Sequence, residues 1–437
     1  MPDKPNILYL HSHDTGRYIQ PYGYAVPTPN LQKFAEQGVL FRNAFCGGPT
    51  CSASRAVLLT GLCAHSSGMI GLAHRGFRLK DYSQHLCHTM HSAGYETTLI
   101  GVQHVISGQE KHKLGYDNDV KVQSHRVQHV APAAVDFLSG APEMPFFLSV
   151  GFSQTHRVYP EPGPAEDARY CRPPDPLPDT PETRYDMACF KACARILDKG
   201  MGSVLDALEA NGLAENTLVI CTTDHGIAFP GMKCNLTDHG IGIMLMVRGP
   251  GGFTGGKVID GMVSHVDIYP TICDLIGVEL PGWLQGKSIM PLVRGEAEEV
   301  NQEIFSEVTY HAAYEPMRAV RTQRWKYIRR FGGRNRPVLP NCDDSPSKDV
   351  WMKHGWADRS LSEEELYDLI FDPNEAHNLV NDPDSAEVLE EMRGRMNRWM
   401  ESTEDPLLEG PVPAPSGSKV NDPDGISPRE PVINVEG

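Results

Sequence analysis

Four places in the chain carry residue types that could do chemistry. "HSHD" (11–14) follows the apolar run "NILYL", and "TTDHG" (222–226) overlaps the end of "TLVICTT". His13–Asp14 and Asp224–His225 are therefore acid–imidazole pairs placed just past two apolar stretches. If those stretches lie in one parallel sheet, the pairs can share a divalent cation. Either pair alone reads more simply as a salt bridge or a capped turn. The third place is "CSASR" (51–55), between "GGPT" and "AVLLTG". A helix capped there by Ser52 or Ser54 and ended by Gly61 sets Cys51 at the positive end of its dipole, with Arg55 one turn on. The fourth is a set of single residues: His104 after "TTLIGV", His156 after "FFLSVGF", and Lys233 in "PGMKCN".

The elements that must position these groups alternate. "NILYL", "TTLIG", "PFFLSVGF", "TLVICTT" and "IGIMLMV" (241–247) read as buried strands. Between them lie helical stretches: "TPNLQKFAEQG", with Thr28 or Asn30 as cap and Leu31, Phe34 and Ala35 on one face; "SQHLCHTMHSAG"; and a long segment over 185–212 closed by Asn-Gly. "DIYPTICDLIG" (267–277) follows the last of these strands and is also helical. This alternation predicts an α/β fold, a mainly parallel sheet sandwiched by helices, with functional groups collected past the C-terminal strand ends. After residue 300 the texture changes to "EIFSEVTY", "MRAVRT" and "RWKYIRRF", short strands without intervening helices. They predict a smaller C-terminal α+β subdomain on an antiparallel sheet, closed by an amphipathic helix over 385–403 that presents Val388, Leu389, Met392 and Met396. Seven prolines from Asp405 onward predict an extended tail laid over the body or a neighbouring subunit. The expected domains are 1–300, 301–404 and the 405–437 tail.

With 437 residues the chain exceeds what a single core usually supports. Its net charge of −16 argues against a nucleic-acid surface, and no apolar run reaches a membrane span. Eleven cysteines without a C-x-x-C pair argue against a zinc ribbon or a thioredoxin motif. They read as reduced core thiols, and with no signal peptide in the sequence as given they imply a cytoplasmic protein.

C-x-A-S-R followed by Leu-Leu-Thr-Gly resembles the signature of the formylglycine-dependent type I sulfatases of the alkaline phosphatase superfamily. The resemblance runs nearly the length of the chain, through "PNILYLHSHD", "CSASRAVLLTG", "GVQHV", "FFLSVGFSQTH", "NTLVICTTDHG", "MRAVRTQRWKYI" and "ELYDLIFDPNEAHNLV". "CSASRAVLLTGLCAHSSGMIGL", "YEPMRAV" and "STEDPLL" are most similar to its sulfamidase (heparan N-sulfatase) branch. It implies an alkaline phosphatase-like fold and conversion of Cys51 to formylglycine by a formylglycine-generating or anaerobic maturation enzyme. One hydroxyl of the formylglycine hydrate, acidified by the metal, would attack sulfur. The other would expel sulfate. Asp14, Asp224 and His225 match metal-ligand positions, and Arg55 matches the residue that steadies the nucleophile. His104 matches the histidine that takes the proton during elimination, while His156 and Lys233 match groups that bind sulfate and protonate the leaving atom. His239 and His311 are weaker candidates for lining a substrate pocket. The implied substrate is a sulfated small molecule or oligosaccharide, and the tail suggests a homodimer.

Two departures stand out. His13 replaces the first aspartate of the usual pair, so the family's calcium gives way toward manganese or zinc if His13 ligates. Val102 stands where the family often has a lysine between nucleophile and sulfate. The rival readings are a phosphonate monoester or phosphodiester hydrolase with the same machinery, a non-catalytic binder of sulfated glycans, and an enzyme using the unmodified Cys51 thiol.

Overall fold

The structure is a computed structural model that describes residues 4–140, 142 and 145–436. Eight strands form the main sheet: β1 (Asn6–His11), β2 (Val39–Phe41), β3 (Glu96–Gly101), β4 (Asn118–Val120), β5 (Phe146–Gly151), β6 (Thr217–Thr222), β7 (Leu245–Arg248) and β8 (Lys257–Ile259). Their order is β4-β3-β5-β1-β6-β7-β2-β8, and β7 alone runs antiparallel to its neighbours. The expected strand over 241–247 starts later, at Leu245. The preceding residues instead form a short helix, Asp238–Ile241, whose Gly240 packs with a Cβ position only 2.0 Å from the Asn235 carbonyl oxygen.

Strand alternation divides the core into two layers. Ile7, Tyr9, Phe147, Leu218 and Ile220 face one layer, with the helices Cys51–Thr60, Leu86–Ser92 and Ile268–Ile276. Leu8, Leu10, Leu148, Val219 and Cys221 face the other, with Pro29–Gln37, Val127–Ser139 and Pro181–Ala210. Every residue of β1, β5 and β6 is buried, as expected of central strands covered on both faces.

A second, antiparallel sheet follows: β9 (Ile304–Tyr310), β10 (Tyr314–Arg321), β11 (Trp325–Arg330) and β12 (Glu364–Asp368). One of its faces joins the first core layer through Ile304, Val308, Tyr310, Met317 and Ile328. The other receives Leu389, Met392, Met396 and Trp399 of the Ala386–Ser402 helix. The tail lies against the body. Asp405 is buried against Arg318, Asn421 accepts from Arg75, and Lys419–Val420 pairs with Ile433–Asn434. Gly437 lies outside the described residues.

Candidate active site

Register explains why the four sequence clusters meet. On β1, His11 pairs with Thr222 of β6 on one side and Gly151 of β5 on the other, and Gly151 pairs with Gly101 of β3. Four parallel strands thus end level, and residues 12–14, 152–156, 223–225 and 102–104 emerge together. The Cys51–Thr60 helix starts beside them. Its N-cap is Thr50, so Ser52 and Ser54 sit inside the first turn, contrary to the capping expected of them. Their hydroxyls have other partners: Ser52 Oγ accepts from the Ala73 amide, and Ser54 Oγ donates to the Asp224 carbonyl. Gly61, at φ +68°, ends the helix as expected.

Cys51 Sγ lies 3.3 Å from His225 Nε2 and 3.9 Å from Asp14 Oδ1. His13 Nδ1 stands 3.2 Å from Asp14 Oδ1 and 3.1 Å from Asp224 Oδ2. The possible ligand atoms of His13, Asp14, Cys51 and Asp224 all fall within 4.8 Å of one another, and the four residues are buried. His225 donates from Nδ1 to the Gly226 carbonyl (3.0 Å), which turns Nε2 toward the sulfur. Asp224 Oδ1 accepts from the amides of Asp14 (2.8 Å) and His225 (3.0 Å), which fixes the carboxylate between the two loops.

Cations surround this cluster. Lys233 Nζ donates to Asp14 Oδ2 (2.9 Å) and Asp343 Oδ2 (3.0 Å). Arg55 donates to Asp224 Oδ2 (3.0 Å) and the Ser12 carbonyl (2.8 Å), and its other terminal nitrogen meets His11 Nδ1. Burial alone would raise the carboxyl pKa values. For Asp14 it is outweighed chiefly by Lys233, and for Asp224 by His225, His13 and Arg55, so both stay well below the carboxylate range. Burial likewise opposes a thiolate at Cys51, yet Lys233, His13 and His225 hold the thiol well below its ordinary value. His225 is lifted to about 9, its burial outweighed by Asp224, Cys51 and Asp14. The cations thus offset the carboxylates of Asp14, Asp224 and Asp343.

His104 is half-buried at φ +56°, with its ring 5.5 Å from that of His13. Burial lowers its pKa, which leaves a neutral imidazole able to accept a proton. The His156 ring meets His13 edge-on at 5.1 Å, and its Nδ1 donates to the Arg157 carbonyl (2.6 Å). Val102 is buried, and its amide donates to Gly151 (2.9 Å), so no cation occupies that position. His239 lines a cavity beside the Lys233 loop, with Nδ1 2.7 Å from the Tyr18 hydroxyl. His311 is buried, and burial pushes its pKa down to about 3.

Three participants carried no signal in the sequence. Asp343 lies in the loop "NCDDS", with no apolar strand ahead of it to mark it. His74 stacks on His104, its Nδ1 3.1 Å from His104 Nε2. His265 contacts Ser54 Oγ (3.1 Å) and Thr222 Oγ1 (3.2 Å), and so ties the Cys51 helix to the end of β6.

The layered sheet and its level strand ends are those of an alkaline phosphatase-like α/β fold. Within that class the chain belongs to the sulfatase family, whose model matches residues 5–278, and it is a sulfatase. The model for "N-sulphoglucosamine sulphohydrolase, C-terminal" matches residues 233–347. Human N-sulphoglucosamine sulphohydrolase is 31% identical, over 93% of this chain and 92% of its own length. A solved 2-O GAG sulfatase superposes with a TM-score of 0.74 at 23% identity, covering 98% of this chain and all of that one. A protein solved in complex with its substrate D-glucosamine-2-N,6-O-disulfate superposes with a TM-score of 0.69 at 19% identity, over 92% and 98% of the two chains.

Proposed function

We propose that the protein releases sulfate from a sulfated sugar, as an ester or a sulfamate, at a centre built around Cys51. The observation that best supports this reading is the convergence of Asp14, Asp224, His13 and His225 on one sulfur at a helix N-terminus. Two ionised carboxylates and two imidazoles fit a single divalent ion of intermediate hardness, manganese or zinc ahead of calcium. Such an ion would supply Lewis acidity, and oxidation of Cys51 by a maturation enzyme would supply a formylglycine hydrate that can both attack sulfur and expel sulfate.

The chain's own groups account for the rest. Arg55 braces Asp224 and leaves it ionised. Lys233, between Asp14 and Asp343, neutralises charge on a transferring sulfuryl group and can donate a proton to the leaving atom. His104, kept neutral by burial, takes a proton from the residue at position 51, and His74 beside it leads toward solvent. His156 presents Nε2 to the sulfate. With Val102 uncharged, Lys233 carries the electrostatic load alone on that side.

The relative that acts on sulphoglucosamine, together with the match over 233–347, makes an N-sulfated hexosamine the first substrate to test. Sulfate release is to be measured from N-sulfoglucosamine and a 2-O-sulfated hexuronate, and release of the alcohol from a phosphodiester. Cleavage of the phosphodiester without release of sulfate would replace this reading with the phosphodiester hydrolase.

A further inference from the structure

A cavity of about 420 Å³ opens next to the candidate active site but is lined by none of its side chains. The two loops that supply Lys233 and Asp343 serve both places. Lys233 and Asp343 meet beside Asp14, while their neighbours Cys234 and Cys342 line the cavity. Its far wall holds Trp351 and Trp356, packed edge to face with ring centroids 5.2 Å apart. A second, more apolar opening of about 560 Å³ shares Trp351, Trp356 and Arg359 with it. The two openings adjoin at the aromatic pair, and the first reaches the loops that carry Lys233 and Asp343; we refer to them together as a trough.

The chemistry of the wall selects the occupant. Arg330 bridges Glu315 (3.7 Å) and Glu365 (3.5 Å), and Lys326 holds Glu375 (3.1 Å), so the lining charges are largely compensated. Of the lining guanidinium groups, Arg359 alone lacks an ion pair among the described residues, and it is exposed to solvent, where a sulfate would be held weakly. Hydroxyl and amide groups of Ser360, Ser362 and Asn374 remain on the lining beside the indoles. Flat indole faces next to small polar groups suit a pyranose, which has apolar C–H faces and an equatorial rim of hydroxyls. Both volumes fall within the range of small-ligand pockets.

We propose that this trough binds unsulfated hexose units of a saccharide whose sulfated unit lies at Cys51. The proposal rests on the sulfated-sugar reading for its orientation, but binding to the trough can be measured without turnover. Titration of Cys51→Ala protein with an unsulfated hexosamine–uronate tetrasaccharide, followed by calorimetry and by tryptophan fluorescence, should show saturable binding. Trp356→Ala should weaken it by about tenfold, the effect of losing one aromatic anchor. Ser360→Trp, which fills the trough from an exposed position, should do the same if the alanine variant fails to fold. In the Cys51-containing enzyme, both variants should lower kcat/KM on a sulfated tetrasaccharide about tenfold and leave a sulfated monosaccharide within about twofold. No binding of the tetrasaccharide, or equal losses on both substrates, would overturn the trough. If the wild-type enzyme releases no sulfate from either substrate, the functional reading fails, and the Cys51→Ala titration still decides the trough.

Discussion

At the scale of single residues, the proposed function turns on Cys51. Peptide mass spectrometry of protein produced with a maturation enzyme should find an aldehyde at position 51 in place of the thiol. Cys51→Ala should lower sulfate release by about 10³-fold or more, since the remaining cations can bind the anion but cannot attack it. Lys233→Ala removes the one ammonium that reaches Asp14 among the described residues and should lower kcat about 10²-fold. An undiminished kcat would strike Lys233 from the machinery. Prolonged chelation should abolish turnover, and manganese should restore it better than calcium. The opposite order would mean that His13 stands outside the ligand set.

At the scale of elements, the second sheet and the tail are fastened to the body through buried charge. Arg318 of β10 donates to Asp405 of the tail (3.0 Å to Oδ1) and faces Glu307 of β9 (3.4 Å). His65, beyond the end of the Cys51–Thr60 helix, donates from Nδ1 to Glu307 (2.8 Å). Such a network adds little net stability over an apolar substitute, but losing one member strands the others. Arg318→Ala should therefore cost about 3–5 kcal/mol in denaturant unfolding. A loss below about 1 kcal/mol would mean that water reaches the cluster.

At the scale of the whole molecule, buried histidines set the acid limit. Burial holds His85, His265 and His311 at about 3. In the unfolded chain these imidazoles bind protons below about 6.5, whereas the folded protein keeps them neutral down to about 3. Protons thus favour unfolding, and stability falls as pH drops from about 6.5, by about 1 kcal/mol per histidine at pH 5.5. Melting temperatures measured at pH 7.5 and 5.5 should show the fall, and His85→Gln, remote from the catalytic cluster, should reduce it. An unchanged melting temperature would mean that these rings are already protonated in the fold.

Much of this was legible in the chain because its signals are local. Mainly apolar runs of five to eight residues marked β1, β3, β5 and β6. A polar residue just past such a run marked His13, Asp14, His104, His156, Asp224 and His225, because parallel strands shed functional groups at their C-terminal ends. The helix carrying Cys51 was readable from Gly61, but its cap was not. Ser52 and Ser54 have capping chemistry, and only tertiary contacts with Ala73 and Asp224 show that they spend it elsewhere. β7 began later than expected because apolar content cannot tell a strand from a tightly packed loop. Asp343, His74 and His265 were invisible because each lies in a segment with no periodic pattern of its own.

The sequence by itself determined the types of the candidate groups, the strand ends that carry them and the family signature around Cys51, since these depend on short-range pattern. Only the tertiary structure decided that the strands end level, that Lys233 lies between Asp14 and Asp343, and that two loops facing Cys51 also wall a trough with Trp351 and Trp356. Those facts depend on sheet register and on the packing of the second sheet against the first core layer. Most of them arise from contacts between residues far apart in the chain, which no local window of sequence contains.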